Sequence, residues 1–224
     1  LDAVNDDDSV HTIVLDGAGK AFVAGADVKF FVDKIRADSI PEIVTFTADG
    51  HTMLNKLESS SKTTVALTTG LALGGGLELA LSCDFRIAAS NAVMGQPEIL
   101  LGIIPGGGGT QRLARLIGPS RAKDLIFTGR RVDADEALTL GLVNEVVDSS
   151  DVLKRAMELA NLYATGPVTA MKAAKRGIDK GGEQLLADGL VMEQGLFAGQ
   201  FDTNDQKVGM KSFVENGPGK ADFS

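Results

Sequence analysis

The order of apolar and polar positions predicts strands that alternate with helices over most of the chain. Residues 10–15 are apolar and β-branched and stop at Asp16-Gly17, which is typical of a strand that ends in a turn. Residues 40–57 have the apolar spacing of an amphipathic helix, and residues 63–69 are a second β-branched run. This β-α-β order favours an α/β fold. Further short strands are predicted at residues 85–89, 92–94 and 141–147.

Strand signals cease after Gly166-Pro167, and only helical spacing remains. Several leucines of this tail are too apolar to be left in water, so we expect its helices to cover another surface. We therefore divide the chain into an α/β core, residues 1–165, and a C-terminal helical region, residues 166–224. The tail helices are predicted at residues 168–178, 185–197 and 206–215.

Composition narrows the classes of function that the 224 residues can serve. The chain is 44% hydrophobic and 23% charged, which is typical of a folded globular protein. Its 22 Lys+Arg against 30 Asp+Glu give a net charge of −8, so a nucleic-acid partner is not expected. Glu78 and Glu98 interrupt the most hydrophobic stretches before they reach the roughly 18 residues of a membrane span. Residues 1–8 lack the order of a signal peptide, so no targeting segment is visible.

Cysteine and histidine are too sparse for a disulfide framework or a metal cluster. Cys83 is alone, and His11 and His51 lie far apart in the sequence. We expect no metal site, a buried apolar role for Cys83, and structural or exposed positions for both histidines.

Three consecutive glycines, Gly74-Gly75-Gly76, follow a predicted strand and precede an apolar helical run. Such a turn leaves backbone N–H groups free for an anion or an oxyanion, although close packing of a helix on a sheet also explains the glycines. The spacing matches neither a phosphate loop nor a dinucleotide fingerprint. Glu78 favours chemistry, because its apolar neighbours predict burial, and burial raises the pKa of a carboxyl toward the range useful for proton transfer.

Glu98 is a second carboxylate in apolar, glycine-rich surroundings. Taken alone, it is explained as the first-turn acid of a helix that opens with Pro97. Together with Glu78 and the neighbouring oxyanion candidate, it makes a candidate acid/base pair.

Three motifs together resemble the crotonase (enoyl-CoA hydratase/isomerase) superfamily. They occur in the family's order and with similar spacing, from about residue 10 to residue 147, and residues 128–131 and 137–147 resemble the family as well. The motifs are Ala24-Gly25-Ala26-Asp27, Gly74-Gly75-Gly76-Leu77-Glu78, and Gly95-Gln96-Pro97-Glu98 with Gly102-Ile103-Ile104-Pro105-Gly106.

The resemblance implies a crotonase-like ββα superhelix with a C-terminal helical layer. It implies that the backbone N–H groups of Ala26 and Gly75 bind the thioester carbonyl oxygen of an acyl-CoA. Glu78 and Glu98 then add water to the double bond of a trans-2-enoyl-CoA, giving a 3-hydroxyacyl-CoA, as in fatty-acid β-oxidation. We assign Glu78 to activating the water and Glu98 to protonating the α-carbon, with the N–H of Gly106 orienting this second carboxylate.

The same resemblance implies a groove for the CoA part of the substrate, so no separate cofactor is expected. Lys20, Lys29 and Lys220 are candidates for a basic rim that offsets the net negative charge, although Lys29 is equally explained as a solvated surface lysine. Relatives form trimers that often pair, so we expect a homotrimer or a dimer of trimers, in the cytoplasm of a bacterium or archaeon or the mitochondrial matrix of a eukaryote. The expected substrate-binding residues are Ala24, Ala26, Asp27, Val28, Lys29, Gly75 and Gly106.

Two departures and four alternatives accompany this interpretation. The strand and helix that usually precede the strand at residues 10–15 are absent from this chain, and Phe213-Val214-Glu215-Asn216-Gly217 lacks the family's basic pair. Double-bond isomerisation of an enoyl-CoA needs only one glutamate, so the presence of both favours hydration. A non-catalytic acyl-CoA-binding or assembly subunit and an RNA-binding relative are disfavoured by the two glutamates and by the net charge. A nicotinamide-dependent oxidoreductase is disfavoured by the glycine spacing.

Overall fold

The computed structural model describes residues 1–223 and alternates helices with short strands along the chain. The helices are α1 (Asp2–Asn5), α2 (Val28–Arg36), α3 (Ile40–Glu58), α4 (Gly75–Leu81), α5 (Gly109–Ile117), α6 (Pro119–Thr128), α7 (Ala134–Leu140), α8 (Val152–Ala164), α9 (Val168–Gly182), α10 (Leu186–Gln200) and α11 (Asn204–Asn216). The strands are β1 (Thr12–Asp16), β2 (Thr63–Thr68), β3 (Leu71–Leu73), β4 (Phe85–Ala89), β5 (Val93–Gly95), β6 (Arg131–Asp133) and β7 (Glu145–Val147). A 3-10 helix covers Pro97–Leu101.

The strands form two sheets that the chain visits in turn. The larger sheet has the order β1-β2-β4-β7 and the smaller one β3-β5-β6. β4 pairs in parallel with both β2 and β7, and β3 pairs in parallel with β5. A parallel pair requires a crossover connection, and α4 lies in the connection that leads from β2 and β3 to their partners β4 and β5. The repeated order of two strands and a helix confirms the predicted α/β class and its ββα pattern.

The predicted elements differ from the observed ones mainly at their ends. The helix predicted at residues 40–57 is α3, and the strand predicted at residues 85–89 is β4. The strand predicted at residues 141–147 is wrong over its first half, because only Glu145–Val147 is extended. Gly141 instead ends α7 in the left-handed conformation at φ 78°, and its N–H bonds back to α7 carbonyls.

The chain folds into two compact units, and the larger one comprises residues 14–58 and 64–157. Its core is a continuous cluster of buried apolar side chains contributed by strands and by helices α3 to α7. Cys83 belongs to this cluster, as the sequence predicts. Fully buried members are Leu77, Met94, Leu113, Leu125 and Leu142.

The smaller unit comprises residues 1–13, 59–63 and those from Glu158 onward. The three predicted tail helices are confirmed as α9, α10 and α11, and α9 packs on the other two. Large apolar side chains of α10 and its N-cap stay exposed, among them Leu185 at 77% and Leu186 at 78%. The division at residues 165/166 stays a prediction about independent domains. Along residues 1–223, every helix is too short or too polar to cross a membrane.

The start of α4 is fixed by a close approach between two backbones. A Cβ at Gly76 would overlap the carbonyl oxygen of Val23 and lie 2.7 Å from its carbonyl carbon. Val23 is itself held by β3, since its N–H donates to Leu71 O and its carbonyl accepts from Leu73 N, both at 3.1 Å. At Gly76, α4 therefore packs against a backbone segment that its hydrogen bonds to β3 hold in place.

This contact predicts a specific cost for a single methyl group. Gly76→Ala is expected to lower the free energy of unfolding by about 2–3 kcal/mol, because the obstructing atoms are backbone. Gly50→Ala in α3 is the matched control, since nothing lies within 4 Å of its added Cβ. The control is expected to raise stability by about 0.5–1 kcal/mol through helix propensity. Urea unfolding of both variants checks this, and equal stabilities would contradict the described contact.

Candidate active site

Glu78 lies in the first turn of α4, directly after β3. Gly74 makes the abrupt change of direction between them with φ 55° and ψ −125°, a conformation that favours glycine. Its N–H donates to Gly95 O at 2.9 Å, which ties the turn to the end of β5. The glycine run therefore fixes the direction in which the Glu78 side chain leaves the helix.

The carboxyl group of Glu78 is buried and held by backbone amides from a distant segment. The residue is 3% exposed, and its Oε1 accepts hydrogen bonds from the N–H groups of Gly107 and Gly109, both at 2.7 Å. Burial of a carboxyl is costly without such partners. Oε2 is not used by either amide, and it lies 4.0 Å from the position of a Cβ on Gly75. One oxygen thus fixes the group, and the other lies near both Gly107 and the first residue of α4.

Residues 107–109 must be glycine because side chains already fill the space around them. A Cβ at Gly107 would lie 2.5 Å from Glu78 Oε2, and one at Gly109 would lie 2.9 Å from Pro105 Cβ. Gly108 adopts φ 102°, in the left-handed region. The turn therefore presents N–H groups to Glu78 at a distance that no residue with a side chain would permit.

Glu98 is partly buried at the start of the 3-10 helix, with Pro97 in its first turn, as the sequence predicts. Its Oε1 lies 3.0 Å from the position of a Cβ on Gly74. Gln96 is fully buried, and with its amide nitrogen turned toward the carboxylate it donates to Oε1 and Oε2 at 2.9 and 3.1 Å. An ionised carboxylate only accepts hydrogen bonds, which selects this orientation of the amide when Glu98 is charged.

Burial raises the pKa of Glu98 to about 7. Its own backbone N–H opposes this by favouring the charged form, and the negative charge of Glu78 raises the pKa further. Glu98 therefore exchanges its proton near neutral pH, where a general acid is most effective.

The two carboxyl groups converge on consecutive residues of one turn. Glu98 Oε1 lies next to Gly74, and Glu78 Oε2 lies within 4.0 Å of the position of a Cβ on Gly75. The N–H of Gly75 is in the first turn of α4, where the helix supplies no acceptor for it. The positive end of the helix faces the same place. Two carboxyl groups and a backbone N–H without a helical acceptor thus share one small region.

The segment that contains Ala26 runs past the same end of β3. Val23 pairs with β3, and a Cβ on Gly25 would lie 3.5 Å from Leu73 O. Gly25 has φ 113°, which turns the chain away from the strand toward α2. The structure thus brings the predicted oxyanion residues to the C-terminal end of β3. Ala26 follows the segment that pairs with β3, and Gly75 begins the helix that follows β3.

The residues predicted to bind CoA lie on the surface around these segments. Asp27 has a defined structural role, because its carboxylate caps α2 by accepting from Lys29 N at 2.9 Å. Lys20 is exposed in the larger unit and Lys220 in the smaller. Ala24, Ala26, Asp27, Val28, Lys29 and Gly106 are exposed, and Gly75 is partly exposed. Their contact with CoA stays a prediction.

The expected role of Gly106 as an orienting amide for Glu98 differs from what the structure shows. Within residues 1–223 the orienting amides are those of Gly107 and Gly109, and they bind Glu78. Glu98 is oriented by Gln96, which the sequence shows only as part of the Gly95-Gln96-Pro97-Glu98 motif. The glycine run and the Gln-Pro-Glu triplet are visible in the sequence. Which carboxylate each of them binds depends on the folded structure and is not visible there.

The raised pKa of Glu98 predicts a pH-dependent effect of Glu98→Gln on stability. Between the ordinary value of 4.5 and about 7, the folded chain keeps a proton that the unfolded chain releases, so stability falls as pH rises through this window. Removing the carboxyl removes that loss. Glu98→Gln is expected to be more stable than the parent by about 1–3 kcal/mol at pH 8, a range reduced for partial solvent screening.

Urea unfolding of the two proteins from pH 5 to pH 8.5 measures this difference. The gap is expected to shrink steadily as the pH falls toward 4.5. A gap that is constant with pH, or one that grows on acidification, would show that burial does not hold the proton on Glu98.

Comparisons with known proteins agree with this geometry. The family model described as "Enoyl-CoA hydratase/isomerase" matches residues 1–223. The short-chain-enoyl-CoA hydratase of Clostridium acetobutylicum is 44% identical over 213 residues, which cover 95% of this chain and 80% of that protein. The crotonyl-CoA hydratase of Syntrophomonas wolfei is 43% identical over 214 residues, covering 95% and 81%. The crystal structure of enoyl-CoA hydratase from Bacillus anthracis superposes with a TM-score of 0.89 at 40% identity, covering 96% and 82%. On sequence and fold, this chain belongs to the enoyl-CoA hydratase/isomerase family.

Proposed function

We propose that this chain catalyses the reversible addition of water to a trans-2-enoyl-CoA, which gives a 3-hydroxyacyl-CoA. The observation that carries the proposal is the convergence of Glu78 and Glu98 on the Gly74-Gly75 turn, where the first amides of α4 lack helical acceptors. Hydration needs a base for the water, an acid for the α-carbon and donors for the enolate oxygen. These three functions are available in one place.

The first step is polarisation of the substrate by backbone amides. The thioester carbonyl accepts hydrogen bonds from the N–H groups of Ala26 and Gly75, and the α-carbon and carbonyl then hold the negative charge that develops when the β-carbon is attacked. One such donor is worth about 2.7–4 kcal/mol of transition-state stabilisation in other enzymes. The helix dipole of α4 favours the same charge.

The two glutamates then act as base and acid. Oε2 of Glu78 takes a proton from the water as its hydroxyl bonds to the β-carbon, while Oε1 stays bound to the Gly107 and Gly109 amides. Glu98 keeps its proton near neutral pH because its pKa is about 7, and it gives that proton to the α-carbon. After the reaction Glu78 carries a proton and Glu98 lacks one. Transfer of a proton from Glu78 to Glu98 restores the starting state.

The names of two relatives suggest which substrate to use in a test. One relative is named a short-chain-enoyl-CoA hydratase and another a crotonyl-CoA hydratase. We infer that short enoyl-CoA thioesters, of the kind formed in fatty-acid β-oxidation, are substrates here as well. CoA enters as part of the substrate, and no further cofactor takes part in the proposed steps.

Assembly and compartment belong to the same proposal. We propose a homotrimer or a dimer of trimers, which is supported by the exposed apolar side chains of α10, for example Val191 at 68% and Phe197 at 65%. The compartment is proposed to be the cytoplasm in a bacterium or archaeon and the mitochondrial matrix in a eukaryote.

The proposal predicts the behaviour of two isosteric variants with crotonyl-CoA. Glu78→Gln and Glu98→Gln are each expected to lower kcat for hydration by about 10²–10⁴-fold, because each removes one proton-transfer group and keeps the shape of the site. Binding of butyryl-CoA, which cannot be hydrated, is expected to persist in both. Loss of the conjugated enoyl absorbance measures the rate, and chromatography of the product separates 3-hydroxybutyryl-CoA from an isomer with a shifted double bond.

Glu136→Gln serves as the control, since Glu136 is partly exposed and forms an ion pair with Arg130. The control is expected to keep the parent's kcat. Near-normal turnover by either active-site variant would refute its assigned role, and an isomerised product without hydration would replace the proposed reaction.

A further inference from the structure

Arg112 of α5 makes hydrogen bonds in two directions. Its Nη1 donates to Gly107 O at 2.9 Å, and its Nε and Nη2 donate to Glu58 Oε2 at 3.1 and 2.7 Å. Nη2 also donates to Asn55 Oδ1 at 2.7 Å. The side chain is 11% exposed, so water competes little for these bonds. Arg112 therefore connects the end of α3 to the glycine turn at the active site.

The carbonyl that Arg112 binds occupies a central place in that turn. It belongs to the peptide unit between Gly107 and Gly108, which lies between the two units whose N–H groups bind Glu78. Rotation of this middle unit would reorient both neighbours. Arg112 holds the carbonyl from one side, while Glu78 binds the flanking N–H groups from the other.

A run of glycines needs such an external hold. Glycine loses more conformational freedom on folding than any other residue, so residues 106–109 have little preference of their own for one geometry. The Arg112 guanidinium lies over Gly108, where an added Cβ would overlap its Nη1. The turn is therefore shaped around the arginine as well as around the glutamate.

The other end of the connection is anchored on a long helix. Asn55 and Glu58 lie in the last turns of α3, which has nineteen residues. The neighbouring Leu54 is buried, and its Cδ1 lies 3.3 Å from the position of a Cβ on Gly107. Helix α3 thus contacts the turn directly through Leu54 and holds it indirectly through Arg112.

We propose that Arg112 is a positioning residue, which fixes the Gly107–Gly109 turn on α3 and thereby holds Glu78 in the orientation that activates water. The inference rests on the proposed function for the role of Glu78. Arg112 itself does not touch the reacting atoms. Without it the turn has more freedom, and Oε2 of Glu78 spends less time in the reactive position.

The main test is the kinetics of Arg112→Ala with crotonyl-CoA. Because small misplacements of a catalytic group have large effects on rate, kcat is expected to fall by about 10–100-fold while KM changes by less than about threefold. Arg112→Lys is expected to recover only part of the rate, since an ammonium is a point charge and lacks the planar fork that reaches three acceptors. Arg115→Ala is the matched control, because Arg115 lies one turn further along α5 and, among residues 1–223, its side chain donates to Gln111 of the same helix. The control is expected to keep the parent's kcat.

A double variant tests whether Arg112 acts through Glu78. If it does, Arg112→Ala is expected to cause no further loss of kcat in a Glu78→Gln background. The pair Asn55→Ala and Glu58→Ala, made together, removes the anchor on α3 while keeping the arginine, and it is expected to lower kcat by about 3–10-fold. This pair keeps the inference testable should Arg112→Ala not fold.

A ligand-free crystal structure of Arg112→Ala, or of the anchor pair, separates this inference from the proposed function. A displaced Gly107 carbonyl with a rotated Glu78 would support the inference even if the parent did not hydrate crotonyl-CoA. The inference would be overturned if the turn and Glu78 stayed in place, if kcat fell no more than in Arg115→Ala, or if the losses with Glu78→Gln multiplied.

Discussion

The pair of hydrogen bonds from the Gly107 and Gly109 amides to Glu78 Oε1 is the interaction on which the rest of the site depends. The partners are 29 and 31 residues apart in sequence, so the bonds form only when α4 and the start of α5 are both in place. A buried carboxyl without partners is costly, which makes the correct approach of these two segments a condition for burying Glu78 at all. Both bonds go to Oε1, and the proposed mechanism uses Oε2 as the base.

The two glutamates have the same chemical group and different surroundings, and this difference supports the proposed division of their roles. Glu78 is buried and bound by two main-chain N–H groups, whereas Glu98 is partly exposed, and its pKa is raised to about 7 by burial and by the charge of Glu78. Surroundings that give two carboxyl groups different pKa values are the usual basis for assigning one as base and the other as acid. Gln96 adds a second constraint by keeping both oxygens of Glu98 in a defined direction.

Periodicity was enough to predict α3, β4 and the tail helices, because these elements are long or have a clear apolar pattern. It missed β3, whose three residues are too few to show alternation, and α5, which begins inside a run of glycines. Glu78 and Glu98 were visible as isolated acids in apolar surroundings. Contacts with Gly107, Gly109 and Arg112 were not, since a backbone amide has no side-chain signal and the Arg112 contacts with α3 span 54 and 57 residues.

The central claim is that an acyl thioester binds where Ala26 and Gly75 amides and both glutamates meet, and a crystal structure with butyryl-CoA tests it most directly. The expected result is a thioester oxygen about 2.7–3.1 Å from both amide nitrogens, with a water molecule between Glu78 Oε2 and the Glu98 carboxyl beside the β-carbon. An acyl group bound away from the start of α4, or glutamates turned away from its β-carbon, would contradict the proposed mechanism.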